Sequence, residues 1–176
     1  MEKPTLQGIQ QSEQDKKDLS DYARKPQGFL LISGKNGTGK SYSAEAIYNT
    51  KTPLRLPQRN SDFAIFITQF ELTERCIEAF FSQGSRREMI EEFQNTPLLV
   101  IDDLGANLRK PSDSVLDFIQ SLIDFRWKNR DVCGTIITTN MNAQEMRNLF
   151  GDAFTSRVAS GMIKRWDHED RRYVEF

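Results

Sequence analysis

A glycine-rich segment of this 176-residue chain has the residue types and spacing of a phosphate-binding loop. Residues 34–41 match the pattern G-x-x-x-x-G-K-[ST]. Glycines allow the backbone to take positive φ and to turn its N–H groups toward phosphate oxygens. Lys40 can reach the β and γ phosphates, and the Ser41 hydroxyl can coordinate Mg²⁺. The candidate phosphate-binding residues are Gly34, Lys35, Asn36, Gly37, Thr38, Gly39, Lys40 and Ser41.

Two consecutive carboxylates end an apolar run about sixty residues after this loop. Asp102 and Asp103 directly follow Leu98–Ile101, and a buried strand seldom ends in two acids without a cation nearby. Asp102 is therefore the candidate magnesium ligand, directly or through water, and Asp103 the candidate to orient or deprotonate an attacking water. The alternative is a strand end with two solvated acids, which the preceding phosphate loop disfavours.

Two further side chains have a possible role in phosphoryl chemistry. Asn140 ends an uncharged, β-branched run, where its amide could position the water or contact the γ phosphate. An asparagine at a strand end is also a common turn residue, so both interpretations stay open. Arg157 could present its guanidinium to the nucleotide of a neighbouring chain, and the alternative is an ordinary surface arginine.

The elements that must position these residues follow from the hydrophobic pattern. Apolar, mostly uncharged runs predict strands, and segments of helical spacing lie between them. Alternating strands and helices of this kind predict a parallel α/β sheet. The predicted strands are 29–32, 62–68, 97–103, 134–140 and 162–166, and the predicted helices are 41–48, 70–81, 86–93, 143–150 and one that opens at 111–112.

Composition restricts the class of protein. With 38% hydrophobic residues the chain is an ordinary globular protein, and no apolar stretch approaches the roughly 20 residues that a bilayer requires. Residues 1–17 lack the apolar core of a signal peptide, so the sequence predicts a cytoplasmic protein without membrane contact. Residues 1–27 are predicted to be a tail or linker with a surface helix over 11–23, and residues 28–176 the domain.

The cysteines, the histidine and the net charge of the chain disfavour several other classes of function. Cys76 and Cys133 fit no metal-ligand spacing and are expected to be reduced. His168 is the single histidine, which excludes histidine-based metal sites and Ser-His-Asp triads. The net charge of −1 means that contact with nucleic acid requires a local basic patch.

Taken together, the motifs at 34–41, 98–105, 135–140 and 150–161 resemble, in order, those of the AAA+ ATPases. More narrowly, they are similar to the DnaC/IstB group of helicase loaders and transposition helper ATPases, over roughly residues 12–172. This resemblance implies a P-loop fold of three layers whose five-stranded sheet has the order 5-1-4-3-2. It also implies ATP and Mg²⁺ as ligands, self-assembly through the nucleotide interface and single-stranded DNA in the channel of the assembly.

The resemblance also implies a role for individual residues. It makes residues 34–41 the Walker A loop, Asp102–Asp103 Walker B, Asn140 the sensor-1 residue and Arg157 the arginine finger, with Arg171 or Arg172 as a looser sensor-2 candidate. Residues 70–93 correspond to an insertion that faces DNA. Within it, Arg86 and Arg87 could track phosphates, while Phe80 or Phe81 either stack on bases or belong to the core of an amphipathic helix.

Two departures from the group leave the function open. Asp103 replaces a glutamate common in AAA+ proteins, so we expect slow or partner-dependent hydrolysis. Only about 27 residues precede the first strand, whereas loaders usually carry an N-terminal helicase-binding domain, so the partner stays open among a replicative helicase, a transposase and another protein. The alternatives to a loader are a transposition helper, a nucleotide-switched binding module without hydrolysis and a small-molecule P-loop kinase.

Overall fold

A single parallel sheet organises the computed structural model, which describes residues 3–51, 64–81, 85–106 and 112–168. The order of the five strands is β2-β3-β4-β1-β5, and all four neighbouring pairs are parallel. This is the implied order 5-1-4-3-2 written from the other edge, so that prediction is confirmed. The strands are β1 (Gly28–Gly34), β2 (Ala64–Thr68), β3 (Leu98–Leu104), β4 (Gly134–Thr139) and β5 (Met162–Trp166).

Seven helices among the described residues cover both faces of the sheet. A parallel sheet needs this cover because apolar side chains leave both of its faces. Along β3, Leu99 and Ile101 join the core beneath α3 to α7, whereas Leu98 and Val100 join the core beneath α1 and α2. The helices are α1 (Glu13–Arg24), α2 (Lys40–Lys51), α3 (Gln69–Phe81), α4 (Ser85–Asn95), α5 (Asp113–Lys128), α6 (Ala143–Phe150) and α7 (Asp152–Val158).

The N-terminal segment corrects one expectation. The predicted helix over residues 11–23 is present as α1, but it is a layer of the domain core rather than a helix on a separate tail. Ile9, Leu19 and Ala23 are buried and pack with β1 and α2 in one hydrophobic cluster. The polar, lysine-rich composition of this segment did not indicate a buried helix. Only a few apolar residues at the right spacing are needed to bury one side of a helix.

An ion-pair cluster fastens α1 to the edge strand β5. Lys164 Nζ lies 2.8 Å from Asp15 Oδ1 and 2.5 Å from Asp18 Oδ2. Partial burial opposes the charge of Lys164, but the hydrogen bonds and charges of the two carboxylates outweigh it and raise its pKa. The same contacts lower the pKa of Asp18, and in Asp15 they outweigh the opposing effect of burial and lower its pKa too. The N-terminal helix therefore has both an apolar and an electrostatic attachment to the sheet.

Two structural features carried no sequence prediction. Arg126 on α5 is fully buried, and its guanidinium donates to the carbonyls of Phe93, Thr96 and Gly134 and to Thr135 Oγ1. These acceptors satisfy a charge that would otherwise be costly to bury. Helix α7 is the second feature, and it begins directly after the sharp break at Gly151, whose φ is +85°.

Several predictions fall partly or wholly outside the described residues. They include the start of the second strand at 62–63, Pro111 and the sensor-2 candidates Arg171 and Arg172, together with the side chains of Phe80 and Phe81. Cys76 and Cys133 are buried and form no disulfide. Among the described helices, none has both the length and the apolar character to cross a bilayer.

Candidate nucleotide-binding site

The phosphate loop lies at the carboxyl edge of the sheet, between β1 and the N-terminus of α2. Gly34, Gly37 and Gly39 all have positive φ, at +143°, +70° and +90°. Gly34 requires glycine for two reasons. Its φ is positive, and an added Cβ would lie 1.9 Å from the carbonyl oxygen of Trp166 on the neighbouring strand β5. The backbone N–H groups of such a loop, followed by a helix N-terminus, form an anion-binding site.

Two side chains of the loop fold back onto one backbone oxygen. Lys40 Nζ donates to the carbonyl oxygen of Lys35 at 2.6 Å, and the hydroxyl of Thr38 donates to the same oxygen at 3.0 Å. Lys40 is only 5% exposed, so the ammonium group lies at the cavity rather than in bulk solvent. The cavity has a volume of about 300 Å³ and is lined by Asn36, Gly37, Gly39, Lys40, Ser41, Tyr42 and Asp103.

The carboxylate of Asp102 is held at the same cavity by hydroxyl groups from two elements. Thr138 Oγ1 on β4 donates to Asp102 Oδ1 at 2.5 Å, and the Ser41 hydroxyl also hydrogen-bonds to Asp102. Burial raises the pKa of Asp102 and the charge of Asp103 adds to this, whereas the two hydroxyl groups favour the ionised form. The structure thus brings Ser41 and Asp102 together, although they are far apart in sequence.

The end of β3 is irregular where the two acids lie. The register between β3 and β4 shifts between Ile101 and Leu104, and Asp103 is a non-glycine residue at φ +55°. The Thr138 hydroxyl replaces the missing ladder contact by accepting the backbone N–H of Asp103 at 2.9 Å. Irregularities of this kind re-aim a side chain next to an active site, and here Asp103 lines the cavity.

Gln69, the first residue of α3, supports the turn that follows Asp103. Its side chain is 4% exposed, and its Oε1 accepts the backbone N–H of Gly105 at 2.5 Å. Met141 packs on the other side of this turn, because a Cβ on Gly105 would lie 1.9 Å from its sulfur. Sequence reasoning assigned no role to either Gln69 or Thr138, since Gln69 lies outside the motifs and Thr138, although it lies within the motif at 135–140, was not singled out.

Gln11, from the segment before α1, also contacts the phosphate loop. Its Nε2 donates to the carbonyl oxygen of Thr38 at 2.7 Å, and its Oε1 lies 2.9 Å from Nε2 of His168. The single histidine therefore joins the two ends of the described chain beside the loop. The sequence offers no signal for this contact because it joins residues 157 positions apart.

The remaining predicted site residues lie outside this cavity. Asn140 follows β4 at the correct edge of the sheet but is exposed and is not among the lining residues. Arg157 lies on α7, where its Nη2 is 2.7 Å from Asp124 Oδ1 of α5, and it is also absent from the lining. Arg171 is outside the described residues. The structure therefore brings residues of the predicted Walker A and Walker B motifs together without the predicted finger.

The donor set fits a magnesium ion bound with a nucleotide. Mg²⁺ prefers oxygen ligands and usually takes one or two carboxylates, phosphate oxygens and water. The Ser41 hydroxyl and the Asp102 carboxylate are such ligands and already contact each other. When bound, the ion would neutralise charge on the phosphate oxygens.

Comparison with known proteins identifies relatives among replication proteins. The replicative helicase loader DnaC of Escherichia coli K12 is 30% identical over 143 residues, which are 78% of this chain and 54% of DnaC. DnaC of Buchnera aphidicola subsp. Baizongia pistaciae is 23% identical over 157 residues. The chain thus spans between about half and three fifths of the length of these relatives. No protein-family model matches the sequence.

Solved structures share the fold at lower identity. A crystal structure of the DnaC helicase loader has a TM-score of 0.69 and 19% identity, with 92% of this chain and 96% of that chain covered. The replication initiator DnaA bound to AMPPCP and single-stranded DNA has a TM-score of 0.75 and 15% identity, with 94% of this chain and 50% of DnaA covered. The fold, the motifs at one edge of its sheet and the DnaC relatives make this chain a DnaC-like member of the AAA+ proteins.

Proposed function

We propose that the chain binds ATP with Mg²⁺, hydrolyses it at an interface between copies, and uses the nucleotide state to control contact with single-stranded DNA or a replication protein. The observation that carries this proposal is that Lys40, Ser41 and Asp103 line one cavity and that Asp102 contacts Ser41 beside it. Helix α2 and strand β3 supply these residues. The DnaC relatives support the role in replication.

Each residue of the cavity has a chemical role in this proposal. The loop N–H groups and Lys40 hold the phosphates, and Lys40 exchanges the Lys35 carbonyl for phosphate oxygens when ATP binds. Ser41 and Asp102 provide the oxygen ligands for Mg²⁺. Asp103 orients a water whose oxygen attacks the γ phosphorus while the bond to the β–γ bridging oxygen breaks, which gives ADP and phosphate.

Arg157 is assigned to the site of a neighbouring copy. Its guanidinium is absent from the cavity of its own chain and is about one-third exposed on α7. A guanidinium supplied by another subunit stabilises charge on the transferring phosphoryl group. Such an interface is head to tail, so one chain offers its cavity and the next offers its α7 surface.

The charges of α3 and α4 restrict how single-stranded DNA would approach. Glu74 and Glu78 are exposed on α3 around Ile77, which is 42% exposed. Their charges repel a phosphate backbone, whereas the first turn of α4 carries Arg86 and Arg87 with one acid, Glu88, and Arg87 pairs with Glu91. We therefore place the DNA phosphates at the start of α4 rather than along α3. The solved structure of the replication initiator DnaA, which shares the fold, contains single-stranded DNA.

A nucleotide-switched module without hydrolysis is the second candidate. The observation in its favour is Asp103, whose side chain is one methylene shorter than glutamate and starts from a left-handed backbone conformation. Both features affect the distance from the carboxylate to the attacking water. In that case the cavity would still bind ATP, and only the turnover would be absent.

Steady-state phosphate release with and without single-stranded DNA, combined with a nucleotide-binding titration, separates the two candidates. The proposed ATPase predicts phosphate release that rises with DNA, and the switch predicts binding alone. In the Lys40→Ala variant we expect ATP affinity to fall by about 100-fold or more, because the charge at the β and γ phosphates is lost. Lys51→Ala, at the far end of the same helix, is the matched control and should keep its ATP affinity. Unchanged ATP affinity in Lys40→Ala would overturn the assignment of the site.

A further inference from the structure

The contact between Arg157 and Asp124 bears on how the arginine is presented to a neighbouring chain. Arg157 Nη2 lies 2.7 Å from Asp124 Oδ1, and the exposed fractions of the two side chains are 31% and 29%. On its other side, the guanidinium carbon is 5.9 Å from the ring centre of Trp127. The arginine is thus held by a carboxylate and an indole while part of it still faces solvent.

The helix that carries Arg157 is itself firmly attached to α5. Gln120 Nε2 donates to the carbonyl oxygen of Phe150 at 2.9 Å. Phe150 stacks on Phe154 with the ring centres 4.5 Å apart, and both rings are buried. Gln120, Asp124 and Trp127 recur at i, i+4 and i+7, so one side of α5 holds both the end of α6, on which Phe154 of α7 stacks, and the side chain of Arg157.

Asp124 stays ionised because two cations share it. Lys128 Nζ lies 2.7 Å from Asp124 Oδ2, while Arg157 occupies Oδ1. The hydrogen bond from Lys128 and the charges of Lys128 and Arg157 lower the pKa of Asp124, against the opposing effect of burial. Among the described residues, Asp124 has the only carboxylate within 4.0 Å of the Arg157 guanidinium.

We propose that Asp124 is a positioning residue that keeps Arg157 ordered and ready to enter the nucleotide site of a neighbouring copy. This inference rests on the proposed trans role of Arg157. A free arginine on a surface would have to lose its rotamer freedom at the moment of reaction, and pre-ordering removes that cost. One nitrogen is used by Asp124, and the planar guanidinium has further donors for a phosphate.

A double-variant cycle on the full-length protein tests this role. In Asp124→Asn we expect kcat to fall about three- to tenfold, the effect of losing the order of one long side chain, with KM for ATP unchanged. In an Arg157→Ala background the same substitution should have no further effect, because there is no arginine to position. Asp117→Asn, an exposed acid on the same helix, is the matched control and should behave as the wild type.

The outcomes distinguish this inference from the proposed function. If Arg157→Ala retains wild-type turnover, the trans role fails and the positioning role fails with it. If Arg157→Ala is slow while Asp124→Asn matches or exceeds the wild type, only the positioning role fails. An equal loss from Asp124→Asn in both backgrounds would likewise overturn it, since that is the behaviour of a merely structural residue.

Tryptophan fluorescence gives a readout that does not need hydrolysis. The chain has two tryptophans, and Trp166 is buried in β5, whereas Trp127 lies beside the guanidinium of Arg157. Asp124→Asn should shift the emission in the same direction as Arg157→Ala, because in both variants the Arg157 guanidinium no longer stays beside the indole, whereas Arg130, 4.7 Å from the ring centre, is present in both. Emission that changes in Arg157→Ala but not in Asp124→Asn would contradict the proposal.

Discussion

The phosphate-loop edge of the sheet and the α5–α7 surface contain the two halves of the proposed ATPase, and they are built differently. At the edge, Lys40 and Ser41 of α2 and Asp103 of β3 line one cavity, and a buried hydrogen bond from Thr138 of β4 holds the adjacent Asp102. On the α5–α7 surface, Arg157 is held by a half-exposed ion pair and meets no described phosphate-binding residue. In the proposed function, the first region is complete in one chain, whereas the second takes part only when another chain is present.

The largest effect should come from removing the arginine of the second region. In Arg157→Ala we expect turnover in the assembled protein to fall by about 1,000-fold or more, the scale of an arginine finger, with ATP affinity unchanged. The measurement is single-turnover hydrolysis together with a nucleotide-binding titration. Arg147→Ala, another half-exposed arginine nearby on α6, is the control and should keep its turnover.

Within the cavity, the hydroxyl of Thr138 should matter next. Thr138→Val keeps the shape but removes the donor to Asp102 and the acceptor for Asp103 N–H. We expect Mg²⁺-dependent turnover to fall about 10- to 100-fold, as when a partner of a metal ligand is lost, and the free energy of unfolding to fall by about 1–3 kcal/mol. Thr135→Val removes an equally buried hydroxyl from the other end of β4. The Thr135→Val variant should be less stable but should retain its turnover per folded molecule. If its turnover falls as much as that of Thr138→Val, the local role of Thr138 is refuted.

A smaller effect is expected at Gln69. Gln69→Leu leaves the N–H of Gly105 without its acceptor, so the turn after Asp103 loses one restraint, and we expect kcat to fall about threefold to tenfold. Gln69→Glu keeps an acceptor at the same position and should recover part of the rate. Stopped-flow phosphate release measures both. The role of Gln69 would be wrong if Gln69→Leu unfolds more easily but turns over at the wild-type rate.

The smallest effect concerns the attachment of α1 to β5. Lys164→Ala removes the ion pairs to Asp15 and Asp18 and should lower the Tm by about 2–4 °C near neutral pH. The pKa values of the two carboxyl groups are lowered in the folded state, so their contribution is lost as the pH falls below about 4. The pKa of Lys164 is raised, so its contribution is lost as the pH rises above about 10.5.

Thermal unfolding of the wild type and Lys164→Ala between pH 3 and pH 11 checks this dependence. The two curves should converge at both ends of the range and differ most between them. A difference in Tm that is independent of pH would show that Lys164 contributes by packing rather than by charge.

The sequence predicted the first region well because its determinants are local. The phosphate loop is one contiguous segment, and the acids follow directly on an apolar strand, so their types and spacing were visible. The contacts that position them were not visible. Thr138 and Gln69 each meet their partners 36 residues away in the chain, and neither side chain differs from an ordinary threonine or glutamine.

Other elements were missed for similar physical reasons. The α1 layer depends on a few apolar residues in a polar segment, and α7 is a short helix of seven residues after a glycine break. Arg126 lies at a position that continues the apolar spacing of α5. Its burial could not be predicted from the sequence, because a charged side chain is buried only where groups such as these carbonyls accept its hydrogen bonds. The helix prediction for residues 70–81 and the strand at 162–166 were confirmed, because hydrophobic periodicity alone decides them.

A subunit-mixing experiment tests most directly that the two regions cooperate between chains. Lys40→Ala chains lack the phosphate contact but retain Arg157, whereas Arg157→Ala chains have the opposite defect. Each alone should hydrolyse ATP at about 1% of the wild-type rate or less. In a 1:1 mixture a head-to-tail interface joins an intact cavity to an intact arginine in about a quarter of the junctions, so the rate should rise to about a quarter of the wild type. A mixture that stays at the mean of the two single variants would contradict a site shared between chains.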